Sequence, residues 1–225
     1  MKSAFEKTVL ASGNPGKCRE FESLLAPLGI EVVSQKSLGI TPAPEPYGTF
    51  LENALTKARH ASAQSGLPAL ADDSGLCVSA LDGAPGVQSA RFAQPQQGME
   101  QDALNNAKLV QVLSQVTNRH AYYVAVLVLV RHAEDPLPIV AQAIWPGEIV
   151  LEAQGTHGFG YDPHFWIDAL QKTVAQLDPA VKNQISHRAL ASQRLIEILN
   201  TPSVAQPKSS ATHSNAADAG CAVTL

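Results

Sequence analysis

Apolar residues recur along this chain in two rhythms, short solid runs and the i, i+3, i+4, i+7 spacing of an amphipathic helix. The first run, TVLAS (Thr8–Ser12), predicts a short buried strand closed by the turn-forming GNPGK. Phe21, Leu24, Leu25 and Leu28 then keep helical spacing until Gly29 ends it, and IEVVSQ predicts a second strand. TPAPEPYG (Thr41–Gly48) carries three prolines and predicts an extended loop. Thr49 and Glu52 form a T-x-x-E capping box for a helix running to about Gln64. Leu51, Leu55 and Ala58 mark its buried face, and Asn53 and Lys57, four apart, lie together on a neighbouring one.

LPALADDSGLCVSAL (Leu67–Leu81) is apolar except for its centre, and the turn-rich DGAPGVQSARFA follows it. A helix around Gln101–Val116 should bury Leu109, Val112, Leu113 and Val116. Two or three long β runs come next, AYYVAVLVLVRH, PIVAQAIW and GEIVLEA, and their close succession predicts an antiparallel meander. The glycine-rich GTHGFGYDP leads to HFWI, and a final helix covers roughly 183–199. From Thr201 the chain is small, polar and aperiodic, which reads as a disordered tail over 201–225 behind one folded domain over 1–200. The class is α/β, a mixed central β-sheet with flanking helices.

With 225 residues, 45% hydrophobic and 16% charged, the chain can bury one sizeable core or two small lobes sharing a cleft. A net charge of −4 gives no global field for nucleic acid or membrane, so a polyanionic ligand must meet a local cluster of cations. Cys18, Cys77 and Cys221 show neither CxxC nor zinc spacing and read as reduced thiols. The first residues lack a signal-peptide core, and the longest apolar run, AYYVAVLVLV, is half of the roughly 20 residues a membrane helix needs. The expectation is a soluble cytoplasmic protein.

Several short constellations change that picture. SGNPGK runs from a strand through a glycine-bearing turn into a helix, which places N–H groups and Lys17 where an anion can dock. It is not a Walker A motif, because the glycines are too close and Cys18 stands where Ser or Thr would hold magnesium. Asp72 and Asp73 could form an ordinary turn before Gly75, yet both flanks are apolar. Two carboxylates so close suit a magnesium ion, a general base, or both. Glu45, in its proline-stiffened loop, suits a metal ligand. Lys57 and Arg91 read alone as surface cations, and Glu52 as a cap. In GFGYD an aromatic could stack on a base, and in KNQISHR four donors, Lys182, Ser186, His187 and Arg188, share the start of a helix.

Taken in order, SGNPGK, TFLENALTKA, ADDSG, GAPGVQSAR, GTHGFGYDP and ISHR resemble the inosine/xanthosine triphosphate pyrophosphatases, from about Thr8 to Leu199. The resemblance implies a long central sheet and two lobes around an active-site cleft, a homodimer, and a requirement for magnesium (Mg2+). It implies hydrolysis of ITP, dITP and XTP at the α–β phosphoanhydride, to the monophosphate and pyrophosphate. Ser12, Gly13, Asn14, Pro15, Gly16 and Lys17 would cradle the triphosphate. Asp73 matches the proton acceptor and magnesium ligand, Glu45 an acidic metal-site residue, and Ser74 a substrate contact. Phe159, Gly160, Tyr161 and Asp162 match the base-binding loop, and Lys182, His187 and Arg188 further substrate contacts. Asp72 or Glu45 would assist Asp73 with the metal, while Lys17, Lys57, Lys182 and Arg91 would offset charge on the leaving pyrophosphate.

The chain departs from the family pattern at Tyr47, where a glycine is usual, at His157, and at Gln176 and Val181, where acidic residues are frequent. Two other readings compete: a pyrophosphatase for other nucleotides, as in the related septum-inhibitor family, and a catalytically silent nucleotide sensor. ISHR and FGYD argue against the first, and the intact Asp72, Asp73, Lys17 and Lys57 against the second. Nucleic-acid binding finds no basic stripe.

Overall fold

The alternating β and helical patterns resolve, in a computed structural model describing residues 5–201, into a single seven-stranded sheet. The tail expected over 201–225 lies, apart from Thr201, outside the described residues. In chain order the elements are β1 (Lys7–Leu10), α1 (Pro15–Leu25), β2 (Glu31–Ser34), α2 (Phe50–Ser65), β3 (Ala69–Val78) and α3 (Gln101–Leu113). They continue with β4 (His120–Val130), β5 (Ile139–Ile149), β6 (Phe165–Ile167), β7 (Lys172–Thr173), α4 (Pro179–Ile185) and α5 (His187–Asn200).

The sheet order is β2-β1-β3-β4-β5-β6-β7. β1 runs parallel to both β2 and β3, the helical crossovers α1 and α2 making this possible. Every pairing from β3 onward is antiparallel, the meander that the close β runs predict. Among the described residues no helix is long and apolar enough to cross a membrane.

Strand alternation sorts the core into three clusters. Leu70, Leu127 and Ala141 pack against Phe21 and Leu25 of α1 and Leu195 of α5. Ala69, Ala71 and Cys77 face the other side and meet Ala54, Ala58 and Ala61 of α2. Farther along the first face, Leu76, Tyr123, Trp145 and Phe165 pack against Leu109 and Leu113 of α3. Between Leu70 and Leu76 this face carries Asp72 and Ser74 instead of apolar groups. The two lobes thus share the long strands, and the polar break between their clusters is the cleft.

Of the two or three long β runs expected there are two: PIVAQAIW and the first residues of GEIVLEA form one continuous strand, β5, because β6 pairs only with Glu148 and Ile149 and leaves the outer edge free at Pro146, where a missing N–H is tolerated. Two expectations change. The last helix is two helices: Ser186 is extended (φ −69°, ψ 162°), ending α4 and capping α5 through an Oγ that accepts from Ala189 N. Leu51 and Val112, expected in the core, are exposed because their faces have no covering element.

Gly75 shows how tightly the cleft floor is built. A Cβ there would lie 2.4 Å from Ser89 Oγ and 2.5 Å from the Gly86 carbonyl, in the 3₁₀ segment Gly86–Arg91 that straps β3. Gly75→Ala is expected to cost about 1–3 kcal/mol of stability by overpacking; an unchanged denaturation midpoint would show that the strap can move aside.

Candidate functional site

The site exists because β1 is short. β1 pairs with β3 only as far as Leu10 opposite Leu70, and Ala11 N still donates to the Leu70 carbonyl at 2.8 Å. Beyond that point, until the Cys77–Pro85 bridge, β3 has a strand partner only in β4, and its edge at Asp72–Ser74 is open. This is the crevice outside the carboxyl end of parallel strands, where open α/β sheets place ligands.

Adjacent in sequence, Asp72 and Asp73 leave β3 on opposite faces and acquire different partners. Asp72 Oδ2 accepts from Lys17 Nζ at 2.9 Å and from Arg188 Nε at 2.8 Å, with its carboxylate fully buried. Burial pushes this carboxyl up, but the two cations outweigh it and hold it well below the usual carboxylate range. Asp73 Oδ1 accepts from Lys57 Nζ at 2.7 Å. Lys57 also donates to Glu45 Oε1 at 3.0 Å and to the Asp72 carbonyl at 2.9 Å. Burial raises the Asp73 carboxyl; Lys57 opposes this, and the nearby Glu45 and Asp72 add to it. The same lysine serves Glu45, which Arg91 reaches from the other side at 3.2 Å. The notion of one tight carboxylate pair is therefore corrected: Asp72 is the anchor of two cations, and Asp73 pairs with the Lys57–Glu45 side.

The loop that carries Glu45 is held by Asn53, which the sequence placed beside Lys57 without showing its partner. Asn53, fully buried on α2, accepts from Tyr47 N and donates to the Tyr47 carbonyl, both at 3.1 Å. The capping box is present as expected, with Thr49 Oγ1 accepting from Glu52 N and donating to Glu52 Oε2. Together they fix the proline loop against α2 one turn from Lys57.

At the start of α1 the expected cradle of free N–H groups is already filled. Asn14 Oδ1 accepts from Gly16 N and Lys17 N at 2.8 and 3.2 Å, and Ser12 Oγ accepts from Asn14 N at 3.2 Å. An anion arriving there meets the Lys17 ammonium and the helix dipole, and gains the backbone donors only by displacing Asn14. Gly13 and Pro15 complete the turn.

The far side of the cleft is aromatic. Phe159 is 62% exposed, with Lys182 Nζ 4.5 Å from its ring centre. Asp162 builds the loop rather than facing solvent: it accepts from Phe159 N at 3.0 Å, Lys182 Nζ at 2.5 Å and Tyr123 Oη at 3.3 Å. Tyr161 is buried and donates to the Ser89 carbonyl at 2.7 Å. His187 stacks on Tyr123, ring centres 4.7 Å apart, and its buried Nδ1 has no hydrogen-bond partner. Burial, reinforced by Arg188, lowers its pKa to about 3, so the ring is neutral. Arg188 donates from Nη2 to Ser74 Oγ at 3.2 Å as well as to Asp72, so part of the donor set expected at ISHR is already engaged. Tyr123 was missed because it lies inside an apolar β run; only its hydroxyl distinguishes it there.

Three cavities adjoin. One of about 200 Å³ is lined by Ser74, Tyr123, Phe159 and His187; one of about 190 Å³ by Ser12, Glu45, Lys57 and Asp72; and an open cleft of about 610 Å³ lies between α1 and α4. Lys17 lines all three.

The Ham1 family matches residues 8–198. The dITP/XTP pyrophosphatase of Burkholderia pseudomallei is 59% identical over 194 residues, 86% of this chain and 93% of that protein. That of Nitrosomonas europaea is 56% identical over 86% of this chain and 94% of its own length. The structure of a HAM1 protein from Coxiella burnetii superposes with a TM-score of 0.81 at 42% identity, covering 86% of this chain and 98% of that one. The six ordered motifs, the sheet with its open β3 edge and these matches agree: the chain belongs to the Ham1 family.

Proposed function

We propose that this chain is a cytoplasmic nucleoside triphosphate pyrophosphatase that hydrolyses ITP, dITP and XTP to the monophosphate and pyrophosphate. The observation that carries the reading is the position of Lys17, an ammonium at the junction of an aromatic pocket, a carboxylate pocket and an open cleft. A pocket of about 200 Å³ lies below the range of about 300–1,000 Å³ usual for a whole drug-sized ligand and suits a single base, with the phosphates passing Lys17 toward Glu45 and Asp73. The relatives' names point the same way.

In this reading Asp73 takes the proton of the water that attacks the α-phosphorus as the bond to the bridging oxygen breaks. Lys57 holds Asp73 Oδ1 and leaves Oδ2 without a partner, the oxygen free to take the proton. Lys17, with Lys182 and Arg91, offsets charge on the departing pyrophosphate. Phe159 offers its ring to the base, and Ser12, Asn14 and Ser74 offer polar contacts. The unpartnered oxygens of Asp73 and Asp72 and the Glu45 carboxylate are hard donors of the kind magnesium takes. Magnesium is commonly held by one or two carboxylates plus substrate phosphates. Glu45 and Asp73 would hold it, Asp72 being committed to its cations; when bound, it polarises the phosphates and their leaving oxygen.

Base choice follows from hydrogen-bond polarity. Hypoxanthine and xanthine present a 6-oxo acceptor where adenine presents an amino donor. The neutral His187 donates from Nδ1 in the tautomer that carries its proton there, and Arg188 offers the N–H groups not used by Asp72 and Ser74. Adenine would leave donor facing donor, a mismatch worth up to about 10⁴-fold in favourable sites. A homodimer is the assembly we propose; Val140 and Ile144, exposed on β5, are apolar surface that a second copy would cover.

Pyrophosphate release should be fast from ITP, dITP and XTP, slow from ATP, and abolished by EDTA; Asp73→Asn should lower kcat by about 10²–10⁴. Equal turnover of ITP and ATP would remove the base-polarity account, and an active Asp73→Asn would remove the base. The neutrality of His187 has its own readout. Since its folded pKa is below the unfolded value, the unfolded chain binds the proton first, and stability falls as pH drops from about 6.5 toward 3, by up to about 1.4 kcal/mol per pH unit. His187→Phe, which keeps a ring against Tyr123, should flatten the stability profile between pH 6 and 5; an unchanged slope would show that His187 titrates normally.

A further inference from the structure

Phe159 is the most exposed aromatic of the site, and its ring meets the Lys182 ammonium at 4.5 Å while no apolar packing buries it. It lies between Gly158 (φ +80°) and Gly160 (φ +60°), residues whose conformational freedom makes a fixed loop entropically expensive. The loop's order must come from hydrogen bonds to its backbone and flanking side chains. Asp162 supplies one tether, to Phe159 N, and Tyr161 a second, to the Ser89 carbonyl. The remaining peptide groups next to the ring belong to Gly160, and both are taken by α3. Gly160 N donates to Asp102 Oδ2 at 2.8 Å, and Asn106 Nδ2 donates to the Gly160 carbonyl at 2.9 Å.

We propose that Asp102 and Asn106, one turn apart on α3, are positioning residues that hold Phe159 at the mouth of the base pocket and so set affinity for the nucleotide. This rests on the pyrophosphatase reading above. Asp102 itself lines the 200 Å³ pocket. Residues four apart on a helix share a face, so the clamp is as rigid as α3, whose Leu109 and Leu113 are anchored in the core. Asn106 is a poor choice for stability alone, because its Oδ1 is buried without a partner and an unsatisfied buried acceptor is destabilising. Its one hydrogen bond goes to the loop. Neither residue touches Asp73, Lys57 or Glu45, so the clamp acts on binding and leaves the chemical step alone.

Kinetics of ITP hydrolysis by the full chain and its variants test this. Asp102→Ala and Asn106→Ala should each raise KM about tenfold with kcat within about twofold, as loss of a hydrogen bond that preorganises the loop implies. Asp102→Asn, whose Oδ1 can still accept from Gly160 N, should restore KM to near the wild-type value. The double alanine variant should fall short of the product of the single effects, because both act on one residue, Gly160. Gly160 amide exchange should quicken in Asp102→Ala without a matching drop in melting temperature. An active wild type with KM unmoved in both alanine variants overturns the clamp alone, as do parallel losses of kcat and melting temperature. A wild type inactive on ITP, dITP and XTP overturns the functional reading and the clamp with it.

Discussion

The carboxylate of Asp72, fully buried between Lys17 and Arg188, is the interaction around which the site is organised. A buried anion survives only when paired, and removing one partner of such a pair typically costs about 3–5 kcal/mol. Asp72 therefore draws two cations to the open edge of β3, one from the first turn of α1 and one from the first turn of α5. It fixes both helix starts against the sheet. Through Arg188 it also reaches Ser74, so the carboxylate side and the aromatic side of the cleft share one anchor.

Strand geometry then divides the labour. Because successive side chains point to opposite faces, Asp73 cannot join Asp72 and meets Lys57 and Glu45 instead. One aspartate is held ionised by two cations, while the other is pushed up by burial with a lysine it shares with Glu45. Two neighbouring residues of the same type thus receive environments that suit a structural anchor and a proton acceptor. The helices that flank the sheet supply the rest, and they do so by bracketing backbone groups. Asn53 holds both polar groups of Tyr47, and α3 holds both polar groups of Gly160.

Much of this was legible in the sequence. The T-x-x-E box, the helical spacing of Phe21–Leu28 and the closely spaced β runs are local signals, and local signals decide elements. The six motifs marked the residues that meet in the cleft, because a charge placed inside an apolar run costs stability unless a partner or ligand meets it. What stayed hidden depends on tertiary partners. The separation of Asp72 from Asp73 follows from the pleat, and ADDSG shows it only when the segment is strand instead of turn. The filling of the α1 cradle by Asn14, the engagement of Arg188 by Asp72 and the division of the last helix at Ser186 depend on which groups are already paired. Asp102, Asn106 and Tyr123 carry no motif, and a polar residue on a helix or in a β run reads as surface or core until its partner is seen.

The central claim is the division between Asp72 as anchor and Asp73 as the metal-side acceptor. Magnesium titration of ITP hydrolysis in Asp72→Asn, at saturating and at limiting ITP, tests it most directly. The expected result is a raised KM for ITP, as Lys17 and Arg188 lose their shared counter-charge, with the magnesium half-saturation at saturating ITP unchanged. A raised magnesium requirement at an unchanged KM would make Asp72 a metal ligand and contradict the account.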